Sequence, residues 1–181
     1  MTEREKMTQG EWFDVADREL REARDRTRRL MHRFNVELVD QDQTYRETMV
    51  ELCPDCRGFI RAPFYCDYGF NIHIGEDAFI NFDCVFLDLA PIRIGDRTML
   101  GPKVQLLTAH HPLDAAERAT GKEMGRPIVI GADCWLGGGV IVCPGVTIGD
   151  RSIIGAGAVV THDVPSDVVA AGNPARVIKK L

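Results

Sequence analysis

Apolar residues recur with a period of six over much of the second half of the chain. In the stretch 127–164 the repeating positions are Ile130, Leu136, Val142, Ile148, Ile154 and Val160. Glycine directly follows four of these six residues. An α-helix repeats about every 3.6 residues and a half-buried strand about every 2, so neither explains this step. The pattern predicts a hexapeptide β-solenoid, in which inward aliphatic side chains stack from one triangular coil to the next.

The same phase runs upstream with two interruptions. The earlier positions are Ile74, Ile80 and Phe86, then, after a slip of two residues near Pro91, Ile94, Leu100 and Leu106. Between Leu106 and Ile130 the pattern stops, and we predict a loop at 107–129 that is extruded from the solenoid. Loops of this length in a compact scaffold are usually functional or disordered, and the two histidines in this one favour a functional loop.

The N-terminal part of the chain has helical rather than solenoid spacing. We predict one short and one longer helix between about Glu5 and Gln41, with Thr8 or Asp14 as N-caps. A further helix is predicted from about Gln43 to Leu52. The domain organisation is thus a helical region at 1–56 that caps the solenoid, and a solenoid at 57–181 that ends in a closing segment.

Composition and charge exclude several classes of function. The formal net charge of -5 offers no basic face for nucleic acid. No apolar run is long enough to cross a bilayer, and the first residues are too charged for a signal peptide. We therefore expect a cytoplasmic protein without nucleic-acid or membrane partners. The six cysteines should be reduced thiols, and Cys53 and Cys56 lack a second ligand pair, so no metal site is predicted.

The residues alone single out His111 as the best catalytic candidate. It lies in the predicted loop directly before Pro112, which restricts the local backbone. An imidazole with a pKa near ~6.5 suits general-base catalysis, although a surface histidine without a function fits the pattern equally well. His110 should point elsewhere if the backbone is extended. Because no GxSxG motif is present, direct transfer is favoured over a covalent intermediate.

Several motifs resemble a known family. NIHIG, NFDC, TAHHPLDAAER, the hexad stretch and AAGNPARVIKKL resemble the maltose and galactoside O-acetyltransferases, and CDYGFNIHIG favours the maltose enzymes. The resemblance implies a mainly β fold, a left-handed parallel β-helix, assembled as a homotrimer with active sites at the subunit clefts. It also implies that acetyl-CoA donates an acetyl group to the 6-hydroxyl of glucose, maltose or a related sugar.

The resemblance also implies roles for individual residues. His111 would be the base, and Asn81 would hold the oxyanion or the acceptor, while Glu123, in the same loop as His111, could orient its ring. Acceptor contacts are expected at Asp17, Asp67, Asn81 and Asp88, although Asp67 and Asp88 also suit corner turns. The acetyl-CoA contacts are expected at Gly138, Ala156, Thr161, His162, Arg176 and Lys179. The chain departs from its relatives at Phe79, His110 and His162.

Two alternatives remain open at this point. A hexapeptide-repeat acyltransferase could act on another hydroxyl or on an amine acceptor. The solenoid could also be a non-catalytic scaffold or a metal-binding protein, which would need three histidines on coil faces to hold zinc.

Overall fold

The computed structural model describes residues 1–38 and 42–181. The N-terminal region contains α1 (Glu3–Gln9), β1 (Phe13–Asp14), α2 (Arg18–His32), a π-helical turn (Arg33–Glu37) and α3 (Gln43–Leu52). These elements match the predicted short, long and third helices. The predicted end of the second helix, near Gln41, lies outside the described residues.

The helices begin at other residues than those predicted. Thr2 caps α1 in a capping box, in which its side chain accepts a hydrogen bond from the Glu5 N–H and the Glu5 carboxylate accepts from the Thr2 N–H. Asp17 caps α2. The prediction of Thr8 or Asp14 is wrong because Thr8 lies inside α1 and Asp14 belongs to β1.

Three stacked sheets form the faces of a triangular solenoid, as the hexad pattern predicts. Sheet 1 contains β2 (Asp55–Cys56), β5 (Ile72–Ile74), β8 (Ile92–Ile94), β13 (Ile128–Ile130) and β16 (Thr147–Ile148). Sheet 2 contains β3 (Phe59–Ile60), β6 (Phe79–Ile80), β9 (Met99–Leu100), β14 (Trp135–Leu136), β17 (Ile153–Ile154), β19 (Val168–Ala171) and β20 (Arg176–Lys180). Sheet 3 contains β4 (Phe64–Cys66), β7 (Cys84–Leu87), β10 (Gln105–Leu107), β15 (Ile141–Val142) and β18 (Val159–Val160).

The hexad positions form the core of the solenoid. In sheet 2, Leu100 pairs with Leu136, which pairs in turn with Ile154, and each is at most 1% exposed. The neighbouring strands are parallel, so every coil repeats the side-chain arrangement of the coil before it. Burial of one such side chain contributes roughly 1.5–3 kcal/mol.

The helical region covers the first coil of its own solenoid. Phe34, Tyr45 and Met49 belong to the same buried cluster as the inward residues of the coils. The Tyr45 hydroxyl donates to the Ile60 carbonyl at 3.1 Å and accepts from the Ala62 N–H at 2.7 Å. The solenoid itself begins at Asp55, slightly before the predicted boundary at 56/57, because β2 already pairs in parallel with β5.

Two segments interrupt or close the solenoid. The extruded loop covers 108–127 rather than 107–129, since Leu107 belongs to β10 and Ile128 begins β13. The loop is partly ordered into β11 (Ala109–His110), α4 (Ala115–Arg118) and β12 (Lys122–Gly125). At the far end, β20 pairs with β19 in antiparallel fashion and forms a strand in the predicted closing segment.

The core column generates a stability prediction. Leu136→Ala removes a fully buried side chain and should lower the free energy of unfolding by about 2–5 kcal/mol. Arg93→Ala, on the exposed outer side of β8, should change it by less than about 0.5 kcal/mol. Chemical denaturation at one fixed protein concentration measures both values, and equal losses would contradict the stacked core.

Candidate active site

The first corner between sheets 3 and 1 contains Asp67, Tyr68 and Gly69 in a fixed backbone conformation. Oδ1 of Asp88 accepts hydrogen bonds from the N–H groups of Asp67 at 3.0 Å and Tyr68 at 2.9 Å, and Oδ2 accepts from Gly69 at 2.7 Å. Gly69 has a φ of 81°, and a Cβ there would collide with the Leu52 carbonyl. The backbone of this corner is therefore held from within the solenoid.

Helix α2 holds the same corner from outside. The Arg24 guanidinium donates to the Tyr68 hydroxyl at 2.6 Å and to the Val15 carbonyl at 2.6 Å. The Thr27 hydroxyl donates to the Tyr68 carbonyl at 2.9 Å. With the backbone held on both sides, the half-buried side chain of Asp67 is presented to the surface beside it.

A three-stranded antiparallel sheet, in the order β1, β12 and β11, carries the loop histidines. Glu123 of β12 pairs with Phe13 of β1, and Met124 pairs with His110 of β11. Because side chains alternate along β12, His110, which pairs with Met124, and His111, which lies beside Glu123, are on opposite faces of this sheet. The ring of His110 lies 6.2 Å from that of Trp12, whereas Nε2 of His111 lies 3.8 Å from Oε1 of Glu123.

The helical turn of the loop fixes the segment after His111. Asp114 caps α4 by accepting from the Glu117 N–H at 2.9 Å. Arg118, at the end of α4, donates to the carbonyls of Pro112 at 3.0 Å and Leu113 at 3.1 Å. These bonds close the loop on itself beside the histidine.

An open cavity of about 340 Å³ lies where the corner, α2 and the loop meet. Its lining residues are Val15, Arg24, Asp67, Tyr68, Leu87, Leu89, Ala109, His111 and Glu123. The structure thus brings together three residues that the sequence singled out: His111, Glu123 and Asp67. It adds Arg24 and Tyr68, which the sequence analysis did not identify.

Opposite charges face each other in this cavity. Burial, followed by the charge of Glu123, raises the pKa of Asp67 above its usual range, while Arg24 and Arg28 lower it. Burial raises the pKa of Asp88 to about 7, although its backbone donors oppose the change. The cavity therefore combines the imidazole of His111 with the carboxyl groups of Asp67 and Glu123. The Arg24 guanidinium beside them already donates to Tyr68 and Val15.

Two residues predicted to contact the acceptor have structural partners within the chain. Asp17 caps α2, accepting from the Leu20 N–H at 3.2 Å. Asp88 has no exposed surface, and three backbone N–H groups occupy its carboxylate. Both side chains hold the walls of the site in place, and Asp67 is the acceptor candidate whose side chain reaches the cavity.

Asn81 lies at another corner of the solenoid, between sheets 2 and 3. It follows β6, and its Oδ1 accepts from the N–H of Phe82 at 2.9 Å. Asn81 and Leu87 are separated by one hexad, which spans up to about 20 Å of extended chain. Asn81 is not among the residues that line the cavity of His111.

The residues predicted to bind acetyl-CoA lie in three places: the corner between sheets 2 and 3, the corner after sheet 3, and the closing strand. Gly138 and Ala156 lie on the same corner as Asn81, whereas Thr161 and His162 follow β18 of sheet 3. Nδ1 of His162 and the Thr161 hydroxyl are 2.9 Å apart. Arg176 and Lys179 lie on the exposed strand β20.

Phe79, one of the positions at which the sequence differs from the family pattern, stacks on Phe59 on the outer side of sheet 2.

Within 1–38 and 42–181 the structure contains no group of three or more His, Cys, Asp or Glu side chains that could hold a metal ion. Over the same residues, every helix is too short or too polar to span a membrane.

The chain is similar to known acetyltransferases in both sequence and structure. Residues 127–162 match the family model described as bacterial transferase hexapeptide (six repeats), and residues 6–52 match the maltose acetyltransferase hexapeptide capping motif. A maltose O-acetyltransferase from Clostridium difficile 630 superposes with a TM-score of 0.96 at 47% identity, covering 100% of this chain and 98% of that one. The chain belongs to the maltose and galactoside O-acetyltransferase family.

Two further family members support this assignment. Galactoside O-acetyltransferase from Escherichia coli K12 is 38% identical over 100% of this chain and 89% of its own length. A hexapeptide-repeat acetyltransferase from Vibrio cholerae, solved with acetyl coenzyme A, superposes with a TM-score of 0.91 at 40% identity, covering 100% of this chain and 99% of its own. The family predicted from the sequence motifs is confirmed, and the chain is an acetyltransferase.

The charges around Asp67 generate a prediction of two opposite shifts. Glu123→Gln removes a nearby negative charge and should lower the pKa of Asp67, whereas Arg28→Gln removes a positive charge and should raise it. Carboxyl carbon chemical shifts followed against pH measure both shifts. Glu117→Gln, which lies in the same loop but lines another cavity, is the matched control. Shifts of the same sign in both variants would contradict this arrangement.

Proposed function

We propose that this chain moves an acetyl group from acetyl-CoA to the 6-hydroxyl of glucose, maltose or a related sugar, with His111 as the general base. The observation that carries the proposal is the cavity in which His111, Glu123 and Asp67 converge, in a chain of this acetyltransferase family. The volume of about 340 Å³ lies within the usual range for small-molecule sites.

The acceptor side of the cavity suits a sugar. Carboxylate oxygens accept several hydrogen bonds each, so Asp67 and Glu123 can bind neighbouring hydroxyl groups. The wall formed by Leu87, Leu89 and Tyr68 offers apolar contact to the carbon side of a sugar ring. Arg24 donates to the Tyr68 hydroxyl and the Val15 carbonyl, and these two bonds hold its side chain in the wall of the cavity.

The proposed reaction is a single direct transfer. His111 removes the proton of the sugar hydroxyl as its oxygen attacks the thioester carbonyl carbon of acetyl-CoA. A new C–O bond forms, the C–S bond breaks, and the proton held by the imidazole passes to the departing thiolate, which leaves as coenzyme A. Glu123, 3.8 Å from the ring, stabilises the positive charge that the imidazole acquires.

We further propose that the site is completed by a neighbouring copy in a homotrimer. The outer face of sheet 2 is apolar, with Met99 and Trp135 each 51% exposed, and Tyr65 on sheet 3 is 45% exposed. The outer face of sheet 1, in contrast, carries Asp55 and Arg93. Contact between the apolar faces of adjacent copies would bring the corner of Asn81 from one copy to the cavity of the next.

The same arrangement suits the donor substrate. Gly138 and Ala156 share the corner with Asn81, so the pantetheine arm would run along that corner toward His111. Arg176 and Lys179 would bind the phosphates at the closing strand.

All six cysteines are free thiols, which supports the predicted cytoplasmic location.

Replacing the base should abolish most turnover. His111→Ala is expected to lower kcat by about 10²-fold or more while the trimer and acetyl-CoA binding persist. His110→Ala is the matched control, because the neighbouring ring lies on the other face of the small sheet and should tolerate the change. Thiol release from acetyl-CoA with glucose and maltose measures the effect. Undiminished turnover in His111→Ala would exclude the proposed base.

A shared site predicts rescue between two inactive variants. His111→Ala and Asn81→Ala should each have little activity alone. After joint unfolding and refolding at equal amounts, random mixed trimers should regain up to about a quarter of wild-type turnover, because some clefts receive both intact residues. Mixing without refolding is the control. If no activity returns in refolded trimers, His111 and Asn81 act within one chain, and an Asn81→Ala variant that is active alone would show that Asn81 is dispensable.

A further inference from the structure

The corner that follows β7 is two residues wider than the regular hexad, and this extra length places Asp88 inside the molecule. Phe86 and Ile94 are eight positions apart instead of six. The Asp88 side chain is fully buried, and the Asp88 carbonyl accepts from Nδ2 of Asn71 at 2.8 Å. The slip in the sequence pattern therefore produces a buried carboxylate directly below the corner 67–69.

The same wide corner also holds the start of the extruded loop 108–127. Thr108, fully buried, donates from its hydroxyl to the Leu87 carbonyl at 2.5 Å and accepts from the Ala90 N–H at 3.0 Å. The Thr108 carbonyl accepts from the Arg126 N–H at 2.9 Å, which joins the two ends of the loop. Ala109, His110 and His111 follow directly.

We propose that Asp88 and Thr108 are positioning residues that set the acceptor carboxylate and the base relative to each other. Asp88 fixes the backbone that carries Asp67, and Thr108 fixes the strand that leads to His111. Both attach to the corner 87–90, so that corner determines the separation of Asp67 from His111. The kinetic form of this inference rests on the proposed function, whereas its structural form does not.

A direct contact between Asp88 and the acceptor conflicts with the observed contacts. The Asp88 side chain has no exposed surface, and a sugar hydroxyl could reach it only by displacing the backbone of 67–69 that donates to it. Such a displacement would also release Asp67 or its neighbours from the position that presents Asp67 to the cavity. The role of Asp88 is thus exerted through the main chain of 67–69.

Asp88→Asn tests the first half of the proposal. The amide has one acceptor oxygen, and its nitrogen would face a backbone donor, so at least one N–H loses its partner. KM for the sugar should rise about tenfold or more while KM for acetyl-CoA stays unchanged. Asp96→Asn is the matched control, because Asp96 accepts from the Glu76 N–H at 2.8 Å at the corner between sheets 1 and 2.

A series of monodeoxy sugars distinguishes positioning from contact. If Asp88 only positions Asp67, Asp88→Asn weakens every deoxy acceptor by the same factor as the parent sugar. If Asp88 binds a hydroxyl, the acceptor that lacks this hydroxyl loses nothing further in the variant. That second result, or acceptor kinetics equal to those of Asp96→Asn, would overturn the proposal.

Amide hydrogen exchange provides a readout that needs no turnover. The N–H groups of 67–69 should exchange slowly in the wild type and faster in Asp88→Asn, but not in Asp96→Asn. A wild-type protein without sugar turnover would refute the proposed function, and exchange would still decide the structural inference. Unchanged exchange in Asp88→Asn would refute that inference.

Thr108→Val tests the second half and provides a variant of nearly unchanged shape. It should lower kcat and leave the amide protection of 67–69 as in the wild type, because only the attachment of the loop is lost. Wild-type kcat in this variant would remove Thr108 from the proposal, whatever the folding behaviour of Asp88→Asn.

Discussion

The structure depends on the stacking of inward aliphatic side chains between parallel coils. A single coil buries little, and its strands of two to four residues have no partner without the coils above and below. Each added coil supplies both backbone hydrogen bonds and apolar contact to its neighbour. The two ends consequently need cover, which α2, α3 and the aromatic cluster around Tyr45 provide at one end and β20 at the other.

This constraint leaves the corners as the part of the chain that is free to vary. Strand register is fixed by the core, whereas a corner can differ in length and composition without changing the pairing of the coils. The candidate site lies at the corner where the chain exceeds the hexad three times, after β4, after β7 and at the loop 108–127. Helix α2 reaches this corner through Arg24 and Thr27, so the cap of the first coil also forms one wall of the cavity.

The sequence predicted the features that arise from local periodicity. The hexad positions are buried because the period itself reflects the inward face, and the opposite directions of His110 and His111 follow from strand alternation. Features that depend on distant partners were missed. Asp88 reads as an ordinary corner aspartate until three N–H groups from 67–69 are seen around it, and Arg24 reads as one charge among many on α2 until Tyr68 is placed beside it.

Helix caps were missed for a related reason. Thr2 forms a capping box with Glu5, but near the start of a chain several polar residues compete for the same position. Asp17 was predicted only as an acceptor contact, and its side chain also satisfies the first turn of α2. In both cases the polar group serves a backbone donor nearby, which the identity of the residue alone does not reveal.

The wide corners also bear on how acceptor preference can change over evolutionary time. Closing a longer loop costs only about 0.6 kcal/mol for each doubling of its length. Insertions between β7 and β8, or between β10 and β13, would leave every coil pairing intact while they change the surface that contacts the substrate. A solenoid of this kind can therefore acquire a new substrate by lengthening its corners, at little expense to the column of side chains that keeps it folded.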